Sequence, residues 1–191
     1  MTVEELYEVA KSGEWDRVLA SMSLDPAVAA ACSRYAKHTS GWTFLHQAAY
    51  FGHELGVRAL VGLGATLVAR AADGETPLDV AERRGHRALA QLMRDAVQDE
   101  GWAPPTSPDV RPSSSAWQEA EPRRTQLGLR VQYGGKTIEV PPGSRYYVDS
   151  FERILVGWHG TFDPPLGMAA TPLVELATIR RRLAAELPES G

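Results

Sequence analysis

The residues with the clearest potential for chemistry lie in one short segment, Trp158-His159-Gly160-Thr161-Phe162-Asp163. His159 could act as a general base, with Asp163 or Asp149 as the carboxylate that orients its imidazole. The same side chains could instead hydrogen-bond around a tight glycine turn at the end of a strand, which is a purely structural role. A metal site would need a third strong ligand, and the spacing supplies none, so we expect no metal here.

Other motifs of enzyme chemistry are missing from the sequence. It contains no phosphate-binding glycine loop, dinucleotide fingerprint, zinc-protease helix or nucleophile elbow. His159-Gly160-Thr161 is similar to the NAD-contacting motif of ADP-ribosyltransferases. That family needs much more sheet after the motif and a later catalytic glutamate, whereas only 30 residues follow Thr161 and they end in a predicted helix. We therefore expect neither a catalytic site nor a cofactor.

Composition sets further bounds. The chain has 191 residues, of which 43% are hydrophobic and 23% charged, as in globular proteins with a real core. Its net charge of -4 gives no general attraction to nucleic acid or anionic lipid. The single cysteine, Cys32, cannot form an internal disulfide, and we expect it to be a small buried apolar residue. No signal peptide or apolar run of membrane-spanning length is present, so we expect a cytoplasmic protein with no membrane partner.

Between Gly41 and Leu92 the sequence repeats itself with a period of 33 residues. Gly41-Trp42-Thr43-Phe44-Leu45-His46 returns as Gly74-Glu75-Thr76-Pro77-Leu78-Asp79, and Gly52-His53 returns as Gly85-His86. Threonine can cap a first helix, and the second glycine can end it because glycine tolerates positive φ. Each copy therefore predicts a pair of helices, and a period of this length is typical of helical repeat proteins.

The repeated motif resembles the ankyrin repeat, although Phe44 occupies a position where the family pattern has proline. The resemblance covers residues 41–97 well and residues 3–40 loosely, as a degenerate first unit. It implies stacked helix pairs with projecting loops, and a non-enzymatic role in binding another macromolecule. His46, His53 and His86 belong to this pattern and are expected to be structural.

The resemblance also implies which positions contact a partner, namely the loop tips and the concave face. Carried over residue by residue, the positions are Thr39, Ser40, Trp42, Tyr50, Phe51, Ala72, Asp73, Glu75, Arg83 and Arg84. Trp42, Tyr50 and Phe51 together would form an aromatic anchor of the kind that dominates interface energy. The alternative is that some of these rings pack inside the protein itself.

The rest of the chain differs in character. Residues 99–126 are rich in proline and serine, which predicts an extended linker, and Trp102 and Trp117 within it could dock on a neighbouring surface or form a short binding motif. Alternation of apolar and polar residues on both sides of Gly134-Gly135 predicts a β-hairpin. Two further strands are expected at Arg145 to Val148 and Arg153 to Trp158, and a helix after Thr171-Pro172. The apolar residues between 151 and 158 also have helical spacing, so a helix is the alternative for the second of these strands.

The predicted fold class is thus an α-helical ankyrin-repeat solenoid (1–98), followed after the linker by a small antiparallel β module with a C-terminal helix (127–191). We expect the β module to dock on the repeats, because so few repeats leave apolar surface to cover. The expected function is binding of a partner protein. The alternatives are a catalytic or ligand-binding β module carried by the repeats, and an immunity or regulatory protein that inhibits one partner.

Overall fold

The structure is a computed structural model and describes residues 1–98, 107, 109–114, 116, 120–133 and 136–156. Seven α-helices come first in the described chain: α1 (Val3–Lys11), α2 (Trp15–Leu24), α3 (Pro26–Arg34), α4 (Phe44–Phe51), α5 (Glu54–Gly62), α6 (Pro77–Arg83) and α7 (Arg87–Gln98). Seven short strands follow: β1 (Val110–Arg111), β2 (Ser113–Ser114), β3 (Glu121–Arg124), β4 (Leu129–Tyr133), β5 (Lys136–Val140), β6 (Arg145–Val148) and β7 (Ile154–Leu155).

Most of the helix starts are set by local side chains. The Thr43 and Thr76 side chains each accept a hydrogen bond from the backbone N–H three residues later. The side chains of His46 and Asp79 in turn accept the backbone N–H of Thr43 and Thr76. Such reciprocal caps satisfy backbone donors that a helix cannot satisfy internally. The Asp25 side chain caps α3, and Pro26 is the first residue of that helix.

Some local contacts recur at equivalent positions of the two sequence copies. Gly52 ends α4 in the left-handed region, at φ 66°, where an L side chain would be strained. His53 then donates its backbone N–H to Ala48, and His86 donates to Ala81 in the same way, at 2.9 and 3.0 Å. The junctions between α4 and α5 and between α6 and α7 are therefore held by equivalent backbone hydrogen bonds.

The strands form two mixed sheets, with orders β1-β4-β5 and β2-β7-β6-β3. The hairpin β4–β5 is antiparallel with Val131 opposite Ile138, which confirms the predicted hairpin. The pairs β1–β4 and β2–β7 are parallel. A small apolar cluster formed by Val131, Val140, Val148, Ile154 and Val156 is the core of this part.

The β part contacts the helices through the turn between β6 and β7, residues 149–153. Phe151 is only 3% exposed and belongs to the same core cluster as the helices. The Arg58 guanidinium of α5 lies 5.3 Å from the centre of the Phe151 ring and donates to the carbonyl of Ser150. Arg153 reaches the carbonyl of Ala96 on α7. The expected contact between β part and helices is therefore present at this turn.

The fold class predicted from the sequence is wrong. The described chain is an α+β structure of seven helices and two mixed sheets, in place of a helical solenoid followed by an antiparallel β module. Residues 110–124, predicted as part of an extended linker, contribute three strands. They do so because each finds a partner far along the chain, and local composition carries no record of such pairing. Trp102, Trp117 and the expected C-terminal helix lie outside the described residues.

Two further findings concern the described residues only. None of their helices has the length and apolar character needed to cross a membrane. They also contain no group of three or more His, Cys, Asp or Glu side chains placed to hold a metal ion.

Candidate partner-binding surface

Four of the predicted contact residues line one concavity of about 480 Å³. Thr39, Ser40 and Trp42 reach it from the loop between α3 and α4, and Tyr50 reaches it from α4. A backbone hydrogen bond of 2.7 Å from Gly41 to Lys37 closes this loop on itself, and the bridge between Ala36 and Thr43 fixes its base. The volume lies in the usual range for ligand sites.

Aromatic rings form one wall of the concavity. Trp42 is half-buried, stacks on His46 at 5.5 Å between ring centres, and meets Tyr50 edge-on at 6.1 Å. The Arg84 guanidinium covers the Tyr50 ring at 4.2 Å. A ring held by neighbours and still partly exposed loses little side-chain freedom when a partner binds, which favours its use as an anchor.

His46, on which Trp42 stacks, is buried and uncharged. Its Nδ1 accepts the Thr43 backbone N–H at 3.1 Å, so its proton is on Nε2 and is donated to the Glu75 carbonyl at 3.1 Å. Burial lowers the pKa of His46, and the Glu75 carbonyl offsets this only in part. The neutral ring ties α4 to the loop before α6, which is the structural role expected for it.

Two buried residues that line the concavity, Tyr7 and Gln47, were missed by sequence reasoning. Tyr7 of α1 and Gln47 of α4 are hydrogen-bonded at 2.9 Å, and burial raises the pKa of the Tyr7 hydroxyl. The Tyr7 ring packs against Tyr35 and Phe44 at 5.1 and 5.2 Å between centres. Because Tyr7 is held by a hydrogen bond and by ring packing, this part of the lining is rigid before a partner binds.

Two lysines complete the lining, Lys11 of α1 and Lys37 of the loop. Their amines lie 3.6 and 2.5 Å from the carboxylate of Glu8. The hydrogen bond between Lys37 and Glu8 raises the pKa of the amine and lowers the pKa of the carboxyl. Alignment of Gly13 with Gly52 would have placed Lys11 at the position equivalent to Tyr50, so the sequence held a signal for it.

The remaining predicted contacts lie beside the concavity. Glu75 and Arg83 form a two-point ion pair, at 2.7 and 2.9 Å, and Asp73 accepts the Glu75 backbone N–H at 3.0 Å. Ala72 donates its N–H to the Ser40 carbonyl at 2.8 Å, which joins the loop before α6 to the loop before α4. Phe51 is 39% exposed at the end of α4. These residues extend the surface without lining its centre.

The alternative site of His159, Asp163 and Asp149 is described only in part, since His159 and Asp163 lie outside the described residues. Asp149 is buried at 2% exposure and fully engaged. Its Oδ1 accepts the backbone N–H groups of Phe151 and Arg153, both at 2.9 Å, and its Oδ2 accepts Arg153 Nε at 2.7 Å. This carboxylate holds the turn at residues 149–153 in shape.

Comparison with known proteins gives one partial similarity. Calmodulin-binding transcription activator 3 of Arabidopsis thaliana is 39% identical to the chain over 79 residues. The match covers 38% of this chain and only 8% of that protein, which contains ankyrin repeats. No protein-family model matches the chain. The similarity is thus a hint of such repeats, and it assigns no family to the chain as a whole.

Proposed function

We propose that the chain is a binding protein without enzymatic activity, and that it holds a partner protein in the concavity between α1, α4 and the loop of residues 35–43. The observation that carries this proposal is the convergence of Trp42, Tyr50, Thr39 and Ser40 on one concave surface. The resemblance to ankyrin repeats predicts all four as contact positions, and they come from two separate elements, the loop before α4 and α4 itself.

The energetics of the surface support the same proposal. Its centre combines partly exposed aromatic rings with polar groups at the edges, which is the composition of protein interfaces. The walls are braced by stacking on His46 and by the Arg84 guanidinium, so binding would order few side chains. Calmodulin binding and transcription activation are named for the Arabidopsis relative, and the match spans too little of that protein to bring either function here.

The test is capture of partners from a lysate of the native cell by the full chain and by two variants. Trp42→Ala/Tyr50→Ala removes the aromatic wall. Leu55→Ala/Val68→Ala removes two apolar side chains that are 67% and 54% exposed elsewhere and serves as the matched control. Both variants are first shown by circular dichroism to keep their helices.

We expect a partner that the wild type and the control retain and the aromatic variant loses. Loss of one anchor ring commonly costs about 2 kcal/mol or more, a weakening of roughly thirtyfold, which a wash step would reveal. A partner bound equally by all three proteins would move the binding site away from the concavity and end the proposal.

A further inference from the structure

The lining of the concavity is cationic although the chain as a whole is acidic. The net charge of the protein is -4. The described lining nevertheless contains Lys11 and Lys37 and neither aspartate nor glutamate. A positive site on a negative protein favours an anionic group in the partner and rejects a cationic one.

The Glu8 carboxylate pairs with the amines of both Lys11 and Lys37 and balances only one of their two positive charges. It lies 2.5 Å from the Lys37 amine and 3.6 Å from the Lys11 amine. Two ammonium groups facing one carboxylate leave one positive charge in this group of three, since +2 and -1 sum to +1. A second carboxylate, supplied by a partner, would complete the pairing.

A neutral donor, the Tyr7 hydroxyl, belongs to a residue that lines the same concavity, and the Lys37 amine lies 5.6 Å from the centre of the Tyr7 ring. The Tyr7 hydroxyl accepts the Gln47 amide at 2.9 Å, which leaves its own proton available to an incoming acceptor. A hydrogen bond from a hydroxyl to a carboxylate is stronger than one between neutral groups. Tyr7, Lys11 and Lys37 therefore present donors of the kind that a carboxylate needs.

The concavity also has an aromatic lining. Trp42 and Tyr50 meet edge-on and offer ring surface to a second side chain. Given a volume of about 480 Å³, the concavity has room for a few side chains of a chain segment and none for a folded domain. Acidic and apolar groups must therefore lie close together in whatever fills it.

We propose that the concavity binds an extended acidic segment of the partner protein. One carboxylate of that segment bonds to Lys11, Lys37 and the Tyr7 hydroxyl, and a neighbouring apolar side chain lies against Trp42 and Tyr50. This inference rests on the proposed function and names the chemistry of its partner. Nucleic acid is a worse fit, because Lys11, Lys37 and Glu8 together leave one net positive charge, which matches a single carboxylate better than a run of phosphates.

The test uses random peptides displayed on phage and selected on the full-length protein. We expect the selected peptides to be enriched in aspartate and glutamate next to an apolar residue. Synthetic copies are then titrated by fluorescence anisotropy, and their affinity should fall as salt is added, because the amines are partly exposed.

Three variants sharpen the test by charge. Lys11→Gln/Lys37→Gln should weaken the selected peptides by about tenfold. Arg17→Gln/Arg145→Gln removes two exposed positive charges elsewhere and should leave affinity nearly unchanged. Glu8→Gln should strengthen binding severalfold, since it frees both amines, and a gain cannot come from damage to the fold.

Selection of peptides without acidic enrichment, selection of no peptide, or equal weakening by both double variants would overturn the inference. So would displacement of the selected peptides by a single-stranded oligonucleotide, which would assign the amines to phosphate. In each case a partner whose capture depends on Trp42 and Tyr50 would leave the proposed function standing. Failure of the inference about an acidic segment can therefore be told apart from failure of the proposed function.

Discussion

A methyl group added to Gly62 of α5 would come within 2.5 Å of the carbonyl oxygen of Phe151 and within 3.2 Å of the Glu152 Cβ. The backbone of the turn at residues 149–153 thus rests directly on the helix, at a position where only glycine fits. Alanine normally stabilises a helix by up to about 1 kcal/mol over glycine.

Gly62→Ala should therefore destabilise the protein, although the same substitution in a helix usually stabilises. We expect a net loss of about 1–2 kcal/mol in the free energy of unfolding, since overpacking against backbone outweighs the helical gain. Urea unfolding followed by circular dichroism measures it. A stabilised variant would show that the turn is not seated on α5.

Phe151→Ala tests how far the β part contributes to the helical core. Phe151 is 3% exposed among helical residues, and loss of such a ring commonly costs about 3–5 kcal/mol. The matched control is Leu127→Ala, because Leu127 is 93% exposed in the same part of the chain and should cost less than about 0.5 kcal/mol. The helical signal should unfold at lower urea in the first variant only. An unchanged helical transition would mean that the two parts are independent.

Asp149→Asn tests the buried ion pair. The side chains of Asp149 and Arg153 are 1% and 4% exposed, and the substitution would leave Arg153 buried without its described carboxylate. Breaking one partner of a buried pair commonly costs about 3–5 kcal/mol. Asp149→Leu/Arg153→Met should cost less than the single variant, because it removes both charges. If the double variant proved the less stable of the two, the penalty would have another origin.

His46 predicts a dependence of stability on pH. Burial lowers its pKa below the usual value of about 6.5, so between the two pKa values the unfolded chain binds the extra proton and the folded chain does not. The contribution of neutral His46 to the free energy of unfolding is complete above about pH 6.5. It is lost as the pH drops from that value towards the folded pKa. Melting temperatures measured between neutral and mildly acidic pH should decline, and His46→Gln should flatten the decline. An equal slope in His46→Gln would exclude His46 as its cause.

Cys32 should be unreactive while the protein is folded. Its side chain is buried and burial raises the pKa of the thiol to about 11, so little thiolate exists at mildly alkaline pH. A chromogenic disulfide reagent should react slowly with the native chain and fast after addition of urea. Fast reaction of the native chain would show that α3 opens readily.

Part of the candidate surface could be read from the sequence. The resemblance to ankyrin repeats implies that Trp42 and Tyr50 are contact positions, and both line the concavity. It could not assign Lys37 or Tyr7. Their place depends on how α1 and the longer loop before α4 pack, and the first unit departs from the repeat.

The local structure of the helical part follows from short sequence patterns. Threonine caps, left-handed glycines and apolar spacing act over a few residues, so the starts and ends of α4 and α6 follow from the nearby chain. The two sheets and the position of Phe151 depend instead on long-range packing. Residues 110–124 form strands because distant partners accept their backbone hydrogen bonds, and Phe151 is buried because α5 offers a glycine surface to receive its turn. Contacts between residues so far apart depend on the packing of the whole chain, which a local pattern does not record.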